Sequence, residues 1–194
     1  MSDFPALHTP RLVLREIVPA DAPALFAIHG DADLMRWFGA DPLPDLEAAV
    51  RLVARFADWR RQASPGTRWG LQLKGKRQLV GSCGLFGWNR NFKRCVVGYE
   101  LASEWQGRGL MREALACVLD WGFANMGLHR VEAQIHPQNA PSLKLAASLG
   151  FVPEGLLREA GYWAGRHHDL LQYSLLRHEF VATPWHGRPS NAKA

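Results

Sequence analysis

EWQGRGLMREAL, from Glu104 to Leu115, sets two glycines and an arginine directly ahead of a run with helical spacing. The first turn of a helix has backbone N–H groups without intrahelical partners, and the helix dipole adds positive potential there. A glycine turn at that point lets an anion such as a pyrophosphate approach the backbone. The plainer reading is a loop that holds two turn glycines. Two familiar phosphate motifs fail: GxxxxGK[ST] is absent, and GxGxxG breaks because Arg112 stands at the third glycine position.

Outward from this stretch the chain alternates legibly. RLVLRE (Arg11 to Glu16) alternates apolar and charged residues and predicts a strand. Helices are expected over Asp21 to Gly30 and Leu46 to Gln62, on either side of the loop GADPLPD. RWGLQLK, QLVGSCGLFGW and KRCVVGYELA predict three strands, joined at KGKR and NRNF by turns short enough for antiparallel hairpins. A helix over Gly107 to Met126 follows, with Met111, Leu115, Val118 and Trp121 on one face. RVEAQIH then reads as a strand, Ala140 to Leu149 as a helix closed by Gly150, and Phe151 to Trp163 and Asp169 to Arg177 as strands. This order implies an α/β layer structure with a mixed, mostly antiparallel sheet rather than a regular βαβ repeat. One domain is expected over 1–178, with a mobile tail over 179–194 rich in proline, glycine and small polar residues.

Composition narrows the function. Of the 194 residues 47% are hydrophobic and 21% charged, which suits a globular core and neither disorder nor a coiled coil. No membrane helix or signal peptide is expected, and three cysteines without CxxC spacing read as reduced, packed thiols of a cytoplasmic protein. The net charge of +5 suits an acidic ligand such as a nucleotide, a phosphate or nucleic acid and does not choose among them. A nucleic-acid binder is one alternative, which the scattered basic residues and the lack of a recognised motif disfavour. His129, His136, His167 and His168 lack a metal-ligand spacing, so no metal is expected.

WQGRGLMREA, with GYEL before it, resembles the signature Q/R-x-x-G-x-G/A of the GNAT superfamily of N-acetyltransferases. Gln106 and Gly109 match, and Met111 replaces the last small residue. TPRLVLRE, NAPSLKLAASLGFVPEG and DLLQYSLL extend the likeness from Thr9 to about Leu176, and together they resemble the RimJ/RimL-like ribosomal-protein N-terminal acetyltransferases. The resemblance implies the GNAT fold, with the fourth and fifth strands splayed apart and acetyl-coenzyme A lying in the gap. Pantetheine would bond to backbone around Tyr99, Leu101 and Ala102. The pyrophosphate would meet Gln106, Gly107, Arg108, Gly109, Leu110 and Met111, with Arg108 and Arg112 flanking it.

Acetyl transfer to an amine needs a neutral nucleophile, a polarised thioester carbonyl and a proton for the leaving thiolate. Glu100, beside the expected strand opening, is the candidate proton acceptor, although a solvent-facing strand glutamate is the ordinary alternative. Many relatives carry a further glutamate where this chain has Val96. Asn139 and Ser142 match the family's N-x-x-S pair, which implies a pantetheine contact for Asn139 and a proton source in Ser142. Asn139 also suits a helix N-cap. Tyr173 and Asp169 match a pattern near the acceptor side, and Trp37 and Trp88 are candidate groove walls. The expected activity is direct acetyl transfer from acetyl-coenzyme A, the cosubstrate, to a protein or peptide N-terminal α-amine. A ribosomal protein is a candidate partner, and a monomer or homodimer is the expected active form. A small amine acceptor (polyamine, amino sugar or cationic antibiotic) is the alternative within the class. A non-catalytic acyl-coenzyme A sensor is the alternative outside it.

Overall fold

A computed structural model describes residues 4–180. Residues 181–194, most of the expected tail, lie outside the described residues; Phe180 is described, and its ring packs 5.2 Å from that of Phe123.

Eight strands form one sheet: β1 (Leu7–His8), β2 (Leu12–Glu16), β3 (Thr67–Leu73), β4 (Leu79–Asn89), β5 (Arg94–Leu101), β6 (Arg130–Ile135), β7 (Val152–Trp163) and β8 (Arg166–Leu176). Their order is β1-β2-β3-β4-β5-β6-β8-β7. Every neighbouring pair is antiparallel except β5 and β6. Among the described residues five α-helices cover the sheet: α1 (Ala22–His29), α2 (Ala32–Met35), α3 (Leu46–Trp59), α4 (Leu110–Asn125) and α5 (Ala140–Ser148).

The two faces of the sheet bury different residues. On one, Leu12, Leu14, Trp69, Leu71, Cys83, Leu85 and Val97 pack against Leu110, Ala114, Leu115, Val118 and Leu119 of α4. On the other, Ile17 and Leu79 pack against Leu25 of α1 and Leu52, Val53 and Phe56 of α3. The spacing of three and four between the buried residues of α3 makes one apolar stripe. The Asp45 carboxylate caps the start of this helix by accepting from the Ala48 N–H at 2.7 Å.

The expected elements all form, with shifted ends. α4 begins at Leu110 rather than Gly107, because Gly107 and Gly109 adopt left-handed φ of 71° and 72° that a right-handed helix excludes. β8 starts at Arg166, three residues early. Ala164 and Gly165 both take the left-handed conformation that a two-residue hairpin turn requires, so pairing starts at Trp163 and Arg166. β1 and α2, two and four residues long, are too short to carry a period.

The parallel seam is brief. β5 meets β6 only at Arg94–Arg130, Cys95–Val131 and Val96–Glu132. Beyond it β5 continues to Leu101 paired only with β4, and β6 continues to Ile135 paired only with β8. The two strands thus part after three residue pairs, as the splayed arrangement requires.

Candidate active site

The glycine turn lies where β5 leaves the sheet. Gln106 ties it to the strand by donating from Nε2 to the Leu101 carbonyl at 2.9 Å, while the Ala102 N–H donates to the Val80 carbonyl at 2.9 Å. Gly109 is the N-cap of α4 and has no side chain to satisfy the first-turn amides. Leu110 and Met111 bury their side chains in the core, so only their backbone faces the turn. Arg112 is exposed, and the Arg108 guanidinium lies over the Trp105 ring at 4.9 Å, with the Lys76 ammonium 4.8 Å from the same ring. The arrangement offers amide donors, a helix dipole and nearby cations to a polyanion.

The turn is braced from the far end of the chain. The Thr9 hydroxyl donates to Glu113 Oε1 at 2.5 Å, and the Arg11 N–H donates to the same oxygen at 2.9 Å. Arg11 Nε donates to Glu113 Oε2 at 2.7 Å, and Arg11 Nη1 to the Arg108 carbonyl at 2.9 Å. Burial pushes the Glu113 carboxyl up, but these donors outweigh it and hold the group below its ordinary value. The TPRL motif held this signal; sequence alone did not connect it to Glu113.

Along β5 successive side chains take opposite faces. Tyr99 lies on the α4 side, half-buried, with the Ser142 side chain beside its hydroxyl. Burial raises the Tyr99 phenol and the Ser142 contact lowers it less, so the phenol stays protonated. Ser142 opens α5, its N–H donating to Asn139 Oδ1 at 3.2 Å, which makes Asn139 the N-cap. Tyr99 and Ser142 are thus brought together beside the strand opening.

Glu100 faces the other way. Its carboxylate is buried and accepts from Arg68, from the Ser82 hydroxyl and from His29 Nε2, the last at 3.2 Å. Arg68 Nε also donates to Ser82 Oγ at 2.7 Å, and the rings of Phe38 and Phe56 lie against the Arg68 guanidinium. Burial would raise the Glu100 carboxyl, yet Arg68 and then His29 more than compensate, leaving it below the ordinary value. A carboxylate held this way is a weaker base than a free one.

Past the end of β6, His136 stacks on Trp37 with centroids 4.0 Å apart, and Trp163 stacks on His168 at 3.7 Å. His136 Nδ1 accepts from the Gln138 N–H at 3.1 Å, which leaves the proton of the neutral ring on Nε2. Burial, then His168 and Arg166, hold His136 below its ordinary value, with Asp169 opposing. Next to these rings is a cavity of about 210 Å³ lined by Met35, Arg36, Trp37, Asp41, Trp163 and Arg166 among others. Trp37 therefore lines this cavity, and Trp88 is not in its wall. Asp169 accepts from the Glu159 N–H at 2.8 Å, and Tyr173 packs against the core on the α4 side.

Cys83, Cys95 and Cys117 are free and buried. Burial pushes all three thiols up, Cys95 to about 12 and Cys117 to about 11, so they stay protonated and poorly nucleophilic. Among the described residues no three His, Cys, Asp or Glu side chains converge to hold a metal, and no helix is long and apolar enough to cross a membrane.

The family described as "Acetyltransferase (GNAT) domain" matches residues 11–152. The chain is 32% identical over 174 residues to an uncharacterized N-acetyltransferase, YoaA, of Bacillus subtilis, covering 90% of this chain and 98% of that protein. Over 69 residues, 36% of each chain, it is 38% identical to the ribosomal protein uS5 alanine N-acetyltransferase of Escherichia coli. Among solved structures, RimJ of Mycobacterium smegmatis in complex with CoA-disulfide superposes with a TM-score of 0.80 at 26% identity, covering 90% of this chain and 87% of that one. A splayed seam, a braced glycine turn opening a helix and this match across most of the length lead to one conclusion: the chain belongs to the GNAT family of acetyl-coenzyme A-dependent N-acetyltransferases.

Proposed function

We propose that the acceptor is the N-terminal α-amine of a protein or peptide and that the acetyl group moves to it directly from acetyl-coenzyme A. The cavity beyond β6 carries this reading. Trp37 and Trp163 offer apolar walls for a first side chain, and Arg36 and Arg166 offer donors for peptide carbonyls. Asp41, the one carboxylate in that wall among the described residues, already accepts from the Ala164 N–H at 2.6 Å. A polyamine would meet two arginines, Arg36 already paired with the Asp33 carboxylate at 2.7 Å, against the single carboxylate of Asp41, a balance that disfavours the small-cation alternative. Similarity to a ribosomal-protein alanine acetyltransferase and to RimJ supports the same acceptor class. The buried, protonated thiols support direct transfer over an acetyl-enzyme.

In this reading the amides of the Gln106 to Met111 turn bind the pyrophosphate. The edge of β5 freed beyond Val96, at Tyr99 and Leu101, holds the pantetheine, with Ala102 bracing it through its own hydrogen bonds to Val80 and Trp105. The Ser142–Tyr99 pair stands ready to supply the thiolate's proton. Proton energetics fit an α-amine. Freeing one of pKa about 7.7–8.0 at pH 7 costs roughly 1–1.4 kcal/mol, whereas a lysine near 10.4 costs about 4.6 kcal/mol. A site whose carboxylate is committed to Arg68 and His29 favours the easier amine. The test is mass spectrometry on peptides carrying both a free N-terminus and an internal lysine. Acetylation is expected at the N-terminus; acetyl groups chiefly on lysine, or only on a small polyamine, would overturn the assignment.

A further inference from the structure

We propose that Arg11 is a positioning residue for coenzyme A: by holding the Arg108 carbonyl it fixes the direction in which the Gly109 N–H donates. The proposal rests on reading the glycine turn as the pyrophosphate site. Gly107 and Gly109 flank Arg108, and glycine reaches left- and right-handed backbone with similar ease. A turn built this way can rotate the peptide unit between Arg108 and Gly109 unless something restrains it.

Arg11 supplies the restraint. In a trans peptide the C=O and the next N–H point in opposite directions, and no peptide among the described residues is cis. With the Arg108 carbonyl turned to Arg11 Nη1 at 2.9 Å, the Gly109 N–H points away from that guanidinium. The next carbonyl, that of Gly109, accepts from the Glu113 N–H at 3.1 Å, so the Leu110 N–H is likewise directed outward from the helix.

The guanidinium is itself immobilised. The Glu113 carboxylate, its side chain 6% exposed, takes Nε and the main-chain N–H of Arg11 and the hydroxyl of Thr9. The ring closes through α4, because Glu113 sits one helical turn after Gly109. Two donors for an anion are therefore oriented before any anion arrives, which spares the ordering that a loose turn would undergo on binding.

Titration calorimetry with coenzyme A tests this in four variants of the full chain. Arg11→Ala should weaken binding about tenfold, the scale of one charge-assisted hydrogen bond, with a less favourable entropy. Arg11→Lys should weaken it as well, since one ammonium cannot bridge Glu113 and the Arg108 carbonyl as the fork does. In steady state both should raise the acetyl-coenzyme A KM and keep kcat. Arg15→Ala, in β2, breaks a comparable bidentate pair with Asp21, at 2.7 and 2.8 Å, and should lower Tm without changing affinity. Gly109→Glu should abolish binding. Unchanged affinity in the folded Arg11 variants, or equal loss in Arg15→Ala, overturns the proposal while the turn stands. Undiminished binding in Gly109→Glu overturns both; should Arg11→Ala not fold, Arg11→Lys decides.

Discussion

Glu100 shows how a residue's surroundings redirect its chemistry. On a strand beside the expected thioester it reads as a base, but Arg68, Ser82 and His29 claim its carboxylate in the fold. Glu100→Gln leaves Arg68 buried without its counter-charge, a change that costs about 3–5 kcal/mol. The loss should appear in urea unfolding at pH 7. The sign with pH follows from the lowered carboxyl. The wild-type advantage is present above the unfolded value near 4.3 and disappears as pH falls through the folded one. The two stability curves should therefore converge in strong acid. The same variant tests catalysis, because loss of a true proton acceptor lowers kcat by roughly 100-fold or more. A folded Glu100→Gln enzyme that keeps its kcat ends the reading of Glu100 as the proton acceptor. The sequence displayed Glu100 and its strand but not these partners, which lie 71, 32 and 18 residues away on three other elements.

At the scale of elements, β5, the turn and α4 were the most legible part. The glycines, the apolar stripe and the alternation of KRCVVGYELA are all local signals. Arg11 was not legible as a brace, since its contacts to Glu113 and the Arg108 carbonyl cross about a hundred residues. Likewise the cavity residues come from α2, the loop after it and the β7–β8 turn, which no short window contains. Ser142 at the start of α5 and Tyr99 on β5 come together only in the fold. Ser142→Ala should lower turnover severalfold or less, since a thiol of pKa about 8.5 is a fair leaving group unaided. An unchanged rate at every pH in a stopped-flow thiol-release assay would exclude it as the proton source.

For the whole molecule, the decisive feature is how little backbone joins the two parts of the sheet. β1 to β5 form one ladder and β6, β8 and β7 another, with three residue pairs and the packing of α4 between them. A ligand that lies across the seam should stabilise both. Coenzyme A at 100 times its Kd adds about 2.7 kcal/mol by mass action. For a chain of this size that raises Tm by roughly 5–11 °C. Calorimetric scans with and without coenzyme A measure it, and hydrogen exchange should slow on β5 and β6 together. Protection confined to the turn would mean the ligand does not bridge the sheet.

The gap also resembles a crack stopped at Val96 and Glu132. Its two lips are strand edges whose amides and carbonyls must be wetted whenever no other backbone-like chain lies between them. Filling the crack is therefore an exchange of water for amide groups, and emptying it requires water to return along both lips. Release of the spent thiol should therefore slow with added viscogen while the acyl chemistry is unchanged, as single-turnover and steady-state rates measured side by side would show.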